Sequence, residues 1–361
     1  EKNGFTCDKA SPSDEAVDKC TVVRANVKYD DGTFGVEGSE TYFVGSMSDH
    51  IPGYKESISD FNPSLAVISL SVNYDDLFDY EKGIYVKGKT FDDALLDYLN
   101  NNNLWDGETA RSLEANYKQR GREWERECNM TMMELSADGE IESVLNQKCG
   151  IRIQGNYSRS DLQKGFRLYA REDYGDNKFR YKVFGDKCRD NVGRPMDEFK
   201  HLVLRAGGNC AFNCKFNDTY WQSLVGELNI TAKVSRPCVV YLNGEYWGVY
   251  VLEEDFNNDY FKDHYGVNED DVILYKGDAE KYASGYRIDI GDIPENERES
   301  YYFKDLSQLL YDYKSGLDDE GYEELCKLVD PDSFCDYFAV ESFINNKWDW
   351  PGKNWYIWKT T

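Results

Sequence analysis

The first two thirds of the chain carry short apolar runs that are separated by polar turns. Runs of this length, bounded by Gly, Asn and Asp, predict β-strands. They are "NPSLAVISLSVN", "KGIYVKGK", "MTMMELS", "KCGIRIQGN", "GFRLYAR", "FKHLVLRAG" and "RPCVVYLNGEYWGVYVLEE". In the last run, Asn243-Gly244 supplies the positive φ angles of a two-residue turn, which predicts a hairpin. Residues 1–62 hold the runs "CTVVRANVKY" and "ETYFVGS", which predict a small β-rich leader segment.

Helical patterns become more common toward the C-terminus. The polar stretch "LNNNNLWDGETARSLEANYKQRGREWERE" predicts a surface excursion with some helix, and "NDTYWQSLVGEL" and "DFNNDYFKDHYG" predict helices. The stretch "DVILYKGD" predicts a buried strand, and the last third is largely helical. In "DPDSFCDYFAVESFIN", Phe334, Tyr337 and Phe338 follow one helical face, and Asp332 or Ser333 is the predicted N-cap. The fold class is therefore α+β, with a strand-rich N-terminal part and a helical C-terminal part.

Charge restricts the classes of partner. Asp and Glu total 67 against 42 Lys and Arg, so the formal net charge of the 361 residues is −25. An acidic field repels nucleic acid and anionic lipid, so neither is expected as the main partner. A phosphate ligand needs a local basic pocket. No apolar segment is long enough to predict a membrane span.

Cysteines and sequons point to an exported protein. The chain has 10 Cys, an even number, with no paired CxxC couples of a zinc site. We expect most of them to be oxidised to disulfides; buried thiols in a cytosolic protein are the alternative. Four N-x-S/T sequons are also present, at Asn129, Asn156, Asn217 and Asn229. No signal peptide is visible, which predicts a mature chain that is secreted or on the cell surface.

The candidate chemistry lies near the C-terminus, in "NNKWDWPGKNWYIWK". Asp349 and Asn354 have the spacing of a protein-kinase catalytic loop, where the carboxylate handles the acceptor hydroxyl and the amide oxygen holds magnesium. Such a pair alone arises by chance. The chain has only 3 His, so a zinc centre or a Ser-His-Asp triad has little support.

Six stretches in order resemble the spore coat protein H (CotH) family of atypical secreted protein kinases. They are "GIYVKG", "REWERE", "CGIRIQGNYSRSDLQKGFRLYAREDYG", "FKHLVLRAGGN", "VVYLNGEYWGVYVLEED" and "NNKWDWPGKNWYIW". The resemblance runs over roughly residues 63–361. It implies an atypical protein-kinase-like fold with a cleft between the strand-rich and helical parts. The expected domains are therefore a leader at 1–62 and a CotH kinase-like domain at 63–361.

The resemblance also implies roles for individual residues. Ser158, in the hairpin after "CGIRI", and Lys164 would contact the phosphates of ATP, with Lys164 the nearer. Glu254, rather than Glu253, would pair with that lysine. Asp349 would be the catalytic residue and Asn354 the ligand of Mg²⁺, and the substrate would be a protein with Ser or Thr acceptors.

Two departures from the family leave other functions open. The family has Arg-Gly-Asn where this chain has Gln154-Gly155-Asn156, and it continues past Thr361 into a segment with a metal-binding aspartate. The expectation is a chain that lacks this segment and, as given, transfers no phosphate. A non-catalytic CotH-like surface or cellulosome-associated binding module is the alternative. A carbohydrate-active enzyme is a third hypothesis, although no acid and nucleophile pair can be singled out.

Overall fold

The computed structural model describes residues 17–51, 65–101, 107–136, 140–211, 213–283, 285–291 and 301–360. They form a mixed α+β structure that is rich in strands, as predicted. The strands are β1 (Thr21–Ala25), β2 (Gly38–Tyr42), β3 (Ala66–Val72), β4 (Arg126–Leu135), β5 (Ile141–Gln154), β6 (Gly165–Tyr169), β7 (Phe179–Arg180), β8 (Glu198–Phe199), β9 (His201–Arg205), β10 (Ser235–Leu242), β11 (Glu245–Glu253), β12 (Val272–Asp278), β13 (Tyr286–Ile290) and β14 (Lys353–Thr360). The helices are α1 (Met47–His50), α2 (Tyr74–Phe78), α3 (Gly88–Asn100), α4 (Gly107–Ser112), α5 (Asn217–Leu224), α6 (Asn258–Tyr265), α7 (Tyr301–Asp312), α8 (Asp319–Leu328) and α9 (Pro331–Phe343).

The chain divides into two compact units. The first comprises the described residues up to Arg189, together with Arg194–Tyr220 and Val234–Asp255. The second comprises Asp190–Gly193, Trp221–Lys233 and the described residues from Phe256 onward. No helix in the part of the chain that the structure describes has the length and hydropathy of a membrane span.

Seven strands of the first unit close into a barrel, in the order β10-β11-β9-β6-β5-β4-β3. Neighbouring strands are antiparallel except β10 and β3, which run parallel and close the barrel. Every residue of β3 is buried, because Ile68 faces the barrel interior while Val67 packs on its other side with Met133 and Tyr241. Two of its buried residues are polar: Ser69 accepts a hydrogen bond from the Thr41 hydroxyl over 2.8 Å, and Ser71 accepts one from Arg24 over 2.7 Å.

The strand prediction for "KGIYVKGK" is wrong. Residues 83–87 form turns and α3 begins at Gly88. The backbone N–H groups of Ile84 and Tyr85 donate to Asp76 and Leu77 at the adjacent helix α2, so they are satisfied without a sheet. The segment is buried, as its apolar character indicates, but burial alone does not distinguish a strand from a packed turn.

The predicted turn at Asn243-Gly244 is confirmed. Both residues have positive φ, 51° and 86°, as a two-residue hairpin turn requires. The turn connects β10 to β11, which pair in an antiparallel ladder. It fixes the register of β11, the strand that precedes Glu254.

The second unit contains a three-stranded sheet, in the order β13-β12-β14. Both faces of its central strand β12 are covered. Ile273 and Tyr275 pack on one side with Phe303 of α7, and Val272 packs on the other with Phe261 of α6. The buried strand predicted for "DVILYKGD" is thus confirmed, and its two apolar faces explain why it has no clear alternation.

The N-cap of α9 corrects a prediction by two or three residues. The side chain of Asp330, rather than Asp332 or Ser333, accepts hydrogen bonds from the backbone N–H groups of Asp332 and Ser333, both at 3.1 Å. Pro331 occupies the first helical turn, where its missing N–H has no cost. An Asp-Pro pair at a helix start therefore identifies the aspartate as the cap.

Replacing Asp330 by Ala is expected to lower the free energy of unfolding by about 1 kcal/mol, because two helix N–H groups lose their acceptor. Asp330→Asn keeps an acceptor oxygen and is the matched control.

Hydrogen bonds from Ser333 and then Asn229 hold the pKa of Asp330 below its ordinary value of 3.8. The charge-dependent part of this stability is therefore fully present above that value and is lost as the pH falls through the lowered folded-state pKa. Urea denaturation across this range should show that loss in the wild type and not in Asp330→Asn; equal midpoints for Asp330→Ala and wild type would refute the cap.

Candidate functional site

Asp349 and Asn354 lie together in the turn that leads into β14. The Nδ2 group of Asn354 donates to Oδ2 of Asp349 over 2.9 Å, and the backbone N–H of Lys353 donates to the carbonyl of Asp349 over 2.7 Å. Asn354 has a φ of 61°, a left-handed conformation that Asn adopts more readily than most residues. The structure thus joins the two residues that their spacing singled out. Because its NH₂ group is committed to Asp349, Asn354 keeps its amide oxygen for another ligand.

The surroundings of this turn are acidic. Lys353 lies opposite Asp278 at the end of β12, and its ammonium contacts Glu280 at 2.9 Å and Asp349 at 3.9 Å. The hydrogen bond to Glu280 raises the pKa of Lys353, and the charges of Glu280, Asp349 and Asp278 add to this effect. Asp278 and Glu280 were not identified from the sequence. Only the pairing of β12 with β14, two strands far apart in the chain, brings them to the turn.

The hairpin after β5 has the predicted compact Gly and Ser arrangement. Gly155 has a φ of +113°, and a Cβ at this position would overlap the hydroxyl oxygen of Ser158. Ser158 is half-buried, whereas Asn156 and Tyr157 are exposed. The hairpin therefore requires glycine at 155 for both its backbone angle and the space that Ser158 occupies.

Lys164 is fully buried, with 0% of its surface exposed. Its ammonium donates to the carbonyl of Asp161 over 2.5 Å and lies 4.3 Å from the ring centroid of Tyr117 and 5.1 Å from that of Tyr85. These rings belong to the core of the barrel. The role of Lys164 as a direct phosphate contact stays a prediction, and its enclosure by aromatic rings favours a supporting role beneath the hairpin.

Glu254 follows β11 and is also buried. Its carboxylate accepts from the backbone N–H of Val234 over 2.8 Å and from the thiol of Cys188 over 3.3 Å. The strand register places Lys164 level with Tyr250, whose hydroxyl donates to the Lys164 carbonyl over 2.9 Å. Glu254 is four residues farther along, a separation of about 13 Å. The pairing of Lys164 with Glu254 stays a prediction.

A buried ionic cluster of the first unit is centred on Glu125, a residue of "REWERE" to which the sequence analysis assigned no role. Its side chain is 0% exposed and contacts the guanidinium groups of three arginines. Arg152 lies at 2.7 Å, Arg171 at 3.0 Å, and Arg122 also pairs with it. A Cβ at Gly150 of β5 would overlap the Glu125 carboxylate, so this glycine makes room for it.

A fourth arginine continues this group on the outer side of the barrel. Arg167 of β6 is directly opposite Arg152 of β5, and it pairs with Asp255 at 2.8 Å. We call Arg122, Arg152, Arg167 and Arg171 the arginine face. The sequence indicates that two of these arginines face outward. Arg152 and Arg167 alternate with apolar residues along their strands, which is typical of residues on the outer side of a barrel.

The disulfide prediction is wrong for the nine cysteines that the structure describes, all of which are free thiols. Cys7 lies outside the described residues. Cys128 and Cys149 are opposite each other on β4 and β5, but both are fully buried. A hydrogen bond with Cys128, followed by burial, raises the pKa of Cys149, and burial raises that of Cys238 to about 12. Because the thiolate is the reactive form, core thiols of this kind resist oxidation.

Comparison with known proteins assigns a family. The family described as "CotH kinase protein" matches residues 151–361, more than half of the chain. The match begins in β5 at Ile151 and includes the hairpin, Lys164, Glu254 and the Asp349–Asn354 turn. No curated protein matches the chain.

Proposed function

Because this chain belongs to the CotH kinase protein family, we propose that it phosphorylates Ser or Thr side chains of exported or cell-surface proteins, using ATP and Mg²⁺. The observation that carries this proposal is the hydrogen bond between Asp349 and Asn354. In kinases an aspartate and an asparagine at this spacing serve the acceptor hydroxyl and the metal. The secreted location and the kinase-like fold belong to the same proposal.

Asp349 is the proposed catalytic residue. Its carboxylate would accept a hydrogen bond from the Ser or Thr hydroxyl and take its proton as the oxygen bonds to the transferred phosphorus and the bond to the leaving diphosphate breaks. The hydrogen bond from Asn354 fixes Oδ2, and Oδ1, which lies 3.9 Å from the Lys353 ammonium, would accept the substrate hydroxyl. This contact orients Asp349 before the acceptor arrives.

The donor set of the turn fits magnesium. Mg²⁺ prefers hard oxygen ligands, and the free amide oxygen of Asn354, with carboxylates nearby, supplies that chemistry. When bound, the ion would neutralise charge on the phosphates. Asn354 is the proposed ligand, and Ser158 with the hairpin backbone would contact the phosphates.

Lys164 and Glu254 act in this proposal as positioning residues. Lys164 ties the end of the hairpin to Asp161 from inside the barrel, and Glu254 ties the end of β11 to Val234. The buried state of Lys164 and the substitution of Gln154 for the family's arginine also favour the alternative, a non-catalytic CotH-like surface or cellulosome-associated module. The two functions differ in whether phosphate is transferred.

Asp349→Asn is expected to lower phosphate transfer by about 10²- to 10⁴-fold, the usual contribution of a positioned general base. The full-length native protein would be incubated with γ-labelled ATP, magnesium and dephosphorylated casein, and labelled phosphoserine and phosphothreonine would be counted. Asp270→Asn, at an exposed turn of the same unit, is the matched control and should retain full transfer. Equal transfer by Asp349→Asn and wild type would exclude the proposed role, and absence of transfer by the wild type would favour the binding module.

A further inference from the structure

The arginine face contrasts with the acidic character of the chain. The net charge of the protein is −25, yet four guanidinium groups lie side by side on and next to β5 and β6. Their side chains remain partly accessible, between 21% for Arg152 and 43% for Arg122. Ile151, Ile153, Phe166 and Leu168, which alternate with them, fill the interior. The strand pattern therefore directs the cations outward.

Glu125 restricts the orientations of three of these guanidinium groups. Its carboxylate accepts from Arg171 through both oxygens, from Arg152 through Oε2 and from Arg122 through Oε1. The ring of Tyr169 lies 4.5 Å from the Arg152 guanidinium and 4.8 Å from that of Arg171, which restricts both further. Arginines held in this way lose little side-chain entropy when they bind a ligand.

Carboxylates of neighbouring segments contact the arginine face. Glu125 is shared by three arginines, Asp173 pairs with Arg122, and Asp255 pairs with Arg167. Next to the face, Arg159 is buried and donates to the carbonyls of Gly155, Tyr117 and Gln119. No carboxylate partner of Arg159 occurs within the described ranges. Burial, and then repulsion from Arg120, Arg167 and Arg152, lowers the pKa of Arg159.

We infer that the arginine face binds the polyphosphate chain of the nucleotide, an inference that rests on the proposed kinase function. Guanidinium groups match phosphate oxygens in a bidentate, charge-assisted geometry. A chain of linked phosphates presents several anionic oxygens to several arginines at once. Arg159 holds the carbonyl of Gly155 at 2.7 Å and so fixes the glycine hairpin beside the face. The arginines thus supply the local basic pocket that an acidic protein needs for such a ligand.

Inorganic tripolyphosphate without magnesium is the probe for this site, titrated into the native protein by calorimetry. Arg152→Gln and Arg171→Gln should each weaken binding by about 10- to 100-fold, as expected for loss of a charge-assisted hydrogen bond. Arg152→Lys keeps the charge but loses the fork geometry and should fall between Arg152→Gln and wild type. Arg180→Gln on β7 removes an exposed, ion-paired arginine of the same unit and should bind like the wild type. Circular dichroism would verify the fold of each variant, and Arg152→Lys serves if the glutamine variants unfold.

The outcomes separate this inference from the proposed function. Wild-type affinity in Arg152→Lys, Arg152→Gln and Arg171→Gln, or no tripolyphosphate binding by the wild type, would overturn the inference and show that the face is a structural ion cluster. Displacement of tripolyphosphate by ATP would support a nucleotide as the natural source of the ligand, and displacement by phosphoserine but not by ATP would contradict it. If phosphate transfer depends on Asp349 but the arginine variants bind tripolyphosphate normally, the proposed function is supported and the inference about the arginine face is wrong.

Discussion

Glu125→Gln is expected to lower the free energy of unfolding by about 3 kcal/mol. The carboxylate is fully buried and is the shared partner of three arginines, so its neutralisation leaves guanidinium groups facing one another. Their partial exposure lets water relieve some of the repulsion, which places the effect at the low end for a broken buried pair. Urea denaturation monitored by tryptophan fluorescence would measure it.

The matched control for this change is Glu127→Gln. Glu127 lies two residues farther along, is 53% exposed and pairs with Lys148 at the surface. Its loss should cost less than about 1 kcal/mol. Similar effects for the two variants would mean that Glu125 does not organise the arginines. Gly150→Ala should also lower the free energy of unfolding, because its methyl group takes the space of the Glu125 carboxylate.

Gly277→Ala is expected to destabilise the second unit by about 2 to 3 kcal/mol, through overpacking in the sheet. Gly277 of β12 lies directly opposite Trp355 of β14, and a Cβ there would fall inside the indole ring. The indole N–H also donates to the carbonyl of Pro351 over 3.0 Å. Displacing the ring would therefore disturb the turn that carries Asp349 and Asn354, and phosphate transfer should fall together with stability.

Gly226→Ala is the control for Gly277→Ala. It lies in the same unit, has no positive φ, and a Cβ added there meets nothing within 4 Å. Its stability and transfer should equal those of the wild type. Thermal unfolding followed by near-ultraviolet circular dichroism would report on Trp355, and an unchanged spectrum and midpoint in Gly277→Ala would show that the strand pair accommodates the methyl group.

Local patterns predicted the elements better than they predicted their partners. The strand β6, the turn at Asn243-Gly244 and the helix α9 are all encoded within a few neighbouring residues, and each was predicted. The turns at Ile84 and Tyr85 were mistaken for a strand because their backbone partners lie in α2, outside the segment. Sequence periodicity reports burial, whereas strand identity also depends on where the backbone groups find hydrogen bonds.

In the candidate site, too, residues close in sequence were predicted and contacts between distant segments were not. Asp349 and Asn354 are close in sequence and were found by their spacing. Glu125 and Arg171 are distant in sequence, and their contact depends on the β5–β6 register and on the absence of a side chain at Gly150. Lys164 stands at the end of an exposed-looking polar loop, and only the rings of Tyr85 and Tyr117 show that it is enclosed. Packing between distant segments therefore determines that Lys164 is enclosed while the arginines stay partly exposed.

The parallel pairing of β3 with β10 has a consequence for synthesis of the protein. On the ribosome β3 emerges before all of its barrel partners, and β10 emerges only after β4, β5, β6 and β9. Until then one edge of β3, a strand that is buried along its whole length in the finished fold, has no hydrogen-bonding partner and is open to pairing with other nascent chains. Closure also requires a long loop to be fixed, which makes it a late and slow event. A nascent chain arrested before β10 should therefore depend on chaperones, whereas one released after β11 should not.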